Sequence, residues 1–153
     1  ARSFLELWRS VVAEGGLVRS ERVRHGVRHY RAAFRSSWTR TGTELVALSG
    51  SRVVGHLSIR REDSEATSHV ATLGIAVAED WRGRGLGSAL LSECLRWASS
   101  FGVHKVMLSV FPHNAQAIAL YRKFGFVQEG RLVGYSRKAY GYEDELLMSL
   151  WLE

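Results

Sequence analysis

Cysteine and proline are almost missing from this 153-residue chain, which has one of each, Cys94 and Pro112. A lone thiol cannot close an internal disulfide, and no cysteine cluster is present to hold zinc. No metal is therefore expected, and a reducing, cytoplasmic setting is the expectation. Long apolar runs are missing too. None approaches the roughly 18 residues of a membrane-spanning helix, so no membrane partner is expected. The first six residues, Ala1 to Glu6, carry an early acid and no extended apolar stretch, unlike a secretory leader. Apolar residues make up 46% and charged residues 24%, a balance that suits a folded chain and excludes wholesale disorder. The length suits one domain over 1–153.

What is present in excess is positive charge, and it is unevenly placed. The net charge is +6. Residues 1–40 hold nine arginines against three glutamates, whereas residues 41–153 hold twelve basic and twelve acidic side chains. The whole excess lies in the first quarter. A nucleic-acid partner, which a basic chain invites, would have to be met there.

Apolar spacing predicts the elements. Phe4, Leu7, Trp8, Val11 and Val12 fall at helical intervals and stop at Gly15-Gly16. A second helix is expected from Ser20 to Trp38, with Val23, Val27, Tyr30, Phe34 and Trp38 along one seam. Arg24, Arg28, Arg31 and Arg35 form a ridge one step away. Glu44–Leu48 and Val53–Arg60 read as a hairpin about Gly50-Ser51, and Arg61–Thr67 as a loop. His69–Val77 reads as a buried strand in which Gly74 suggests a bulge or a close backbone approach. A third helix has Leu86, Leu90, Cys94, Trp97, Ala98 and Phe101 on one face. Lys105–Phe111 is a strand and Ala115–Lys123 a helix, with Phe126–Leu132 and Glu145–Leu152 as closing strands. The early hairpin argues for a mixed α/β sheet rather than an all-parallel one.

Between the buried strand and the third helix stands Arg82-Gly83-Arg84-Gly85-Leu86-Gly87-Ser88. Glycines let bare backbone N–H groups approach a ligand, the helix start adds orphan donors and partial positive charge, and two arginines add formal charge. Strand, loop and helix together make a pyrophosphate site. The bland alternative, a tight connection, does not by itself require three alternating glycines with two arginines among them. A mononucleotide P-loop is excluded because no lysine follows the glycines. A dinucleotide fold is excluded by the G-x-G-x-G spacing and by the absence of an acid near residues 102–105.

Arg82-x-x-Gly85-x-Gly87 resembles the R/Q-x-x-G-x-G/A motif with which GNAT superfamily N-acetyltransferases bind the pyrophosphate of acetyl-CoA. Asn114 to Phe126 resembles the family's N-x-x-A-x-x-L-Y-x-x-x-G-F segment. Gly141 to Met148 is similar to the closing strand of the branch containing ribosomal-protein alanine and amino-acid N-acetyltransferases. The resemblance covers residues 44–152. It implies a mostly antiparallel twisted sheet of six to seven strands, splayed in the middle and flanked by about four helices. It also implies an acetyl-CoA-binding core over 68–132 and acceptor-side helices over 1–40. A homodimer is common in the family. The family's usual first strand is not evident before Phe4, which implies a chain that starts late.

The implied reaction is direct acetyl transfer to a primary amine, on an amino-acid-like small molecule or a protein N-terminus. By resemblance, backbone groups of Ile75, Ala76 and Val77 pair with pantetheine, the Asn114 side chain bonds the pantetheine arm, and the Tyr121 hydroxyl is the general acid for the departing thiolate. With pKa values of about 10 for tyrosine and about 8.5 for a thiol, that proton transfer is uphill by ~2 kcal/mol before local tuning. The bland readings are a core aromatic for Tyr121 and an N-cap for Asn114. Where relatives in the alanine branch carry a base Glu, this chain has Ser109. A lysine amine costs ~4.6 kcal/mol to deprotonate at pH 7 and an α-amine only ~1, so the missing carboxylate tilts the acceptor toward an α-amine. His56, His69, His113 and Glu143 are candidate bases acting through water, and each histidine is ranked first as an ordinary surface or hydrogen-bonded one. Cys94 reads as a packed thiol rather than a nucleophile.

The arginine ridge has three readings, ranked in this order: a solvated face, a border of the acceptor cleft that attracts a carboxylate, and a nucleic-acid contact. Two alternatives to the enzyme stay open, a non-catalytic acyl-CoA-binding module and a basic nucleic-acid-binding protein.

Overall fold

The computed structural model describes residues 2–14 and 39–153. The helix expected over 20–38, with its arginine ridge, lies outside the described residues. Helix α1 spans Arg2–Ala13. The hairpin follows as β1 (Gly42–Ser49) and β2 (Arg52–Arg61), then β3 (Val70–Val77), α2 (Leu86–Ser100), β4 (Lys105–Val110), α3 (Ala115–Lys123), β5 (Val127–Lys138) and β6 (Gly141–Trp151). Short 3-10 turns stand at Glu65–Thr67, within the expected loop, and at Glu79–Trp81. The described residues thus hold six strands and three α-helices, in agreement with the expected mixed α/β architecture.

The strands lie in the order β1-β2-β3-β4-β6-β5, and every neighbouring pair is antiparallel except β3 with β4. That parallel pair is short. Val70, Ala71 and Thr72 face Lys105, Val106 and Met107, and the ladder ends there. Beyond it β3 stays with β2 as far as Val77, while β4 stays with β6 as far as Val110. The two strands therefore part toward their C-terminal ends, and the sheet is splayed in its middle.

Alternation along the strands makes two apolar layers. On one face Leu57, Ile59, Ala71, Leu73, Val106, Leu108 and Met148 meet Leu90, Leu91, Cys94, Trp97 and Ala98 of α2 and Ile118 and Tyr121 of α3. Removing side chains such as Leu91 and Leu108 from water stabilises the fold by roughly 1.5–3 kcal/mol each. On the other face Phe4, Leu7 and Val11 of α1 pack on Val53, Ala76 and Ala78.

Three expectations need correction. There is no bulge at Gly74, which pairs in register with Ser58, and a methyl group there would stand 3.7 Å from Ser58 Oγ, an ordinary contact. Phe101 does not continue the apolar face of α2; it caps the helix, is 39% exposed and packs obliquely on Trp97. The closing hairpin is longer than its apolar pattern, because β5 runs on to Lys138 and β6 begins at Gly141, held by pairings such as Ser136 with Glu143 rather than by burial of Val133 or Tyr135.

Candidate active site

Some of the residues singled out from the sequence lie beside the splay, and others do not. Ile75, Ala76 and Val77 form the end of β3, past the last β4 pairing, with Ala76 turned to α1 and Ile75 and Val77 to the α2 layer. The loop 82–85 leads from there into α2. Gly83 and Gly85 have φ of +71° and +82°, a region costly for any residue with a side chain, and Gly85 is the N-cap of α2. No side chain caps this helix, and its first turn closes with Ala89 N–H donating to Gly85 O at 3.0 Å. The N–H groups of Leu86, Gly87 and Ser88 precede that bond and form the donor end of the helix dipole. Gly87 serves packing: a methyl group there would come within 3.0 Å of Leu120 Cδ2, so α2 and α3 meet closely at this point.

The two loop arginines have different surroundings. Arg84 is exposed, with its guanidinium 5.4 Å from the centroid of the Trp81 ring. Arg82 is engaged on every side. Its Nε donates to Val77 O at 3.0 Å, and its two terminal nitrogens donate to Glu14 Oε2 at 2.6 Å and Oε1 at 3.0 Å.

At the end of β4, Asn114 caps α3, its Oδ1 accepting from Ala117 N–H at 3.2 Å, while Arg122 and Lys123 lie in the last turn where the dipole favours positive charge. Tyr121 is 5% exposed and belongs to the α2–α3 core, with its ring centroid 5.9 Å from that of Phe126. Burial pushes its hydroxyl pKa up to about 12, so it stays protonated at any physiological pH. Burial does the same to the Cys94 thiol, also raised to about 12, as befits a packed thiol rather than a nucleophile.

The opposite face of β4 and β6 is more polar than the sequence suggested. Ser109 lies opposite Leu147, and Glu145 is the next residue of β6 on that face. Glu145 is 2% exposed and accepts from Ser136 Oγ at 2.5 Å. Glu143 follows. His113 Nδ1 stands 4.0 Å from its Oε1, and its Oε2 is buried with no hydrogen-bond partner among the described residues. The His113 ring stacks on Phe111, which also carries the Lys138 ammonium 4.8 Å from its ring centroid.

The other candidate histidines are elsewhere. His69 stacks on Trp151, and its carbonyl accepts from the N–H groups of His104 and Lys105 at the closed end of the sheet. His56 is buried under Phe4 and Trp8, with Nε2 2.5 Å from Glu44 Oε2. Glu14 and Glu145 were missed by sequence reasoning. Glu145 carried a usable signal, an acid in an apolar closing strand; Glu14 carried none. Among the described residues no group of three or more histidine, cysteine or acidic side chains could hold a metal ion, and no described helix is long and apolar enough to cross a membrane.

Residues 16–126 match the family model described as Acetyltransferase (GNAT) family. The chain is 38% identical over 107 residues to the L-amino acid N-acetyltransferase AaaT of Escherichia coli, covering 69% of this chain and 66% of that protein. Across four curated relatives, the matched stretch spans from 33% to 66% of the relative's length. Ribosomal-protein-alanine N-acetyltransferase of Brucella melitensis superposes with a TM-score of 0.88 at 26% identity, over 99% of this chain and 93% of that one. The Salmonella typhimurium yncA structure, solved with acetyl-CoA, shares the fold at a TM-score of 0.88 and 20% identity, covering 99% of this chain and 88% of that one.

Proposed function

The chain belongs to the acetyltransferase (GNAT) family, and from that premise we propose that it transfers the acetyl group of acetyl-CoA directly to a primary amine, most readily an α-amine. The observation that carries the reading is the parting of β3 and β4 beside an uncapped, glycine-built helix start. Pantetheine lies along Ile75, Ala76 and Val77. The pyrophosphate takes the N–H groups of Leu86, Gly87 and Ser88 with the charge of Arg84 beside them. The Nδ2 donors of Asn114 remain for the pantetheine arm. The amine nitrogen attacks the thioester carbon, the C–S bond breaks, and the Tyr121 hydroxyl gives its proton to the leaving thiolate.

The amine must shed a proton, and Ser109 cannot take it alone. Glu143, Glu145 and His113 are the acid–base groups on the same side of the hairpin, and they receive it through water. Two relatives named for amino-acid and alanine N-acetylation support an α-amine acceptor. In this reading 68–132 form the cofactor core and 1–40 shape the acceptor side. The protein works in the cytoplasm, where the single Cys94 thiol stays reduced. It pairs as a homodimer, to which β5, an edge strand with Val127 and Val133 exposed, supplies a surface.

The test is thiol release from acetyl-CoA across amino acids, N-terminal peptides, polyamines and aminoglycosides, with pH profiles for Glu143→Gln, Glu145→Gln and His113→Ala. Turnover on α-amines is expected, with the rise toward alkaline pH displaced by at least one of these variants. Turnover confined to polyamines would overturn the α-amine reading. Acetyl-CoA binding without turnover on any amine would favour a non-catalytic binding module.

A further inference from the structure

Arg82 is the first residue of the phosphate-loop motif, and a free guanidinium there would be the natural partner for a phosphate. Its donors are directed elsewhere. Nε holds the last carbonyl of β3, Val77 O, and the guanidinium forms a two-point pair with Glu14, the residue just past α1. The side chains are only 22% and 18% exposed, so the pair is partly shielded from water. Sixty-eight residues of sequence separate the partners.

Three elements meet in this one contact: the α1 end, the edge of the splay and the loop that leads into α2. A neighbouring pair of the same kind, Arg52 with Asp80 at 2.7 and 3.1 Å, ties β2 to the turn before the loop. It is exposed, with side chains 53% and 55% accessible, and so is screened by solvent. The Arg82 pair is the more shielded of the two and acts directly on the loop.

We propose that Glu14 is a positioning residue for acetyl-CoA: by occupying the Arg82 guanidinium it fixes the course of the glycine loop against β3, so that backbone N–H groups and Arg84, rather than Arg82, meet the pyrophosphate. This deepens the acetyl-CoA reading and rests on it. It also joins the two sides of the site, since α1 packs on the acceptor face of β3 through Ala76 and holds the cofactor loop through Glu14. A loop fixed in advance costs less to order when the ligand arrives. Losing Glu14 leaves the two terminal nitrogens of a partly buried guanidinium without their carboxylate, and the loop is then tied to β3 by the Nε bond to Val77 O alone.

The two possible roles of Arg82 predict opposite signs for one substitution. If Arg82 bound phosphate directly, Glu14→Gln would release it and acetyl-CoA would bind equally well or more tightly. If Glu14 positions it, binding weakens.

The experiment is a cycle of Glu14→Gln, Arg82→Gln and the double variant. CoA affinity is measured by calorimetry, KM and kcat by thiol release, and folding by thermal midpoint. We expect Glu14→Gln to weaken CoA binding and raise the acetyl-CoA KM about five- to tenfold, with kcat within twofold and the midpoint within a few degrees. The double variant should bind no more weakly than the poorer single one, the mark of coupled partners. Unchanged or tighter binding in Glu14→Gln, or effects that multiply in the double variant, would overturn the positioning role while leaving the acetyl-CoA reading intact. No CoA binding by the unmodified chain would overturn that reading itself, and the positioning role with it.

Discussion

In the proposed reaction Tyr121 acts as general acid from within the core. Its ring is a core side chain, as the bland reading held, and the same burial raises its hydroxyl to about 12. Against a water-exposed thiol at about 8.5, proton transfer is then uphill by about 5 kcal/mol, more than an exposed tyrosine would face. In the proposed reaction a thiolate shielded from water beside Tyr121 would be destabilised too, which narrows the gap. The sign of the pH effect follows. A raised pKa keeps the acid form loaded, so no loss of rate from this group is expected between pH 7 and about pH 11. Tyr121→Phe should lower kcat by roughly a hundredfold across that range, within the usual span for a general acid, with acetyl-CoA KM little changed. A steady-state pH series on both proteins checks this. Residue-level roles were only partly legible in the sequence. Asn114, Tyr121 and the glycines sit in local motifs, whereas Glu14 reaches Arg82 across a fold that spacing alone does not reveal.

At the scale of elements, local chemistry and long-range pairing divide what the sequence could tell. Helices α2 and α3 are set by their own apolar spacing, caps and terminal glycines, and their predicted extents agree closely with the structure. The hairpin of β5 and β6 is not set that way. The residues of β5 do alternate, but Ser136 and Lys138 are turned inward while Val133, 80% exposed, and Tyr135, 56% exposed, are turned outward, so apolar spacing does not mark the strand and register with β6 defines it. The loop before α2 belongs to the first class. Gly85 takes φ +82° as N-cap, and alanine there costs roughly 1–2 kcal/mol of backbone strain. Gly85→Ala should therefore lower stability by about that amount and weaken CoA binding several-fold, read from urea unfolding and calorimetry on the same preparation. Loss of stability with unchanged CoA affinity would mean that the loop is a connection and not a cradle.

Across the whole molecule, α1 covers one face of the sheet, α2 and α3 cover the other, and the parted strands open between them. Of the two loop arginines, both of which lie in the charge-neutral remainder, Arg82 is balanced by Glu14. Family membership and fold were legible because the loop and the cap of α3 are short motifs at fixed spacing. The acceptor was not, because the groups proposed to meet it, Glu143 and Glu145 of the last strand among them, stand outside those local motifs. The most direct measurement of the central claim is a single turnover with acetyl-labelled acetyl-CoA and an α-amine acceptor, quenched at intervals. Label should appear on the acceptor amine at the rate of thiol release, with none on the protein. Label held on the protein, or thiol release without an acetylated amine, would contradict direct transfer.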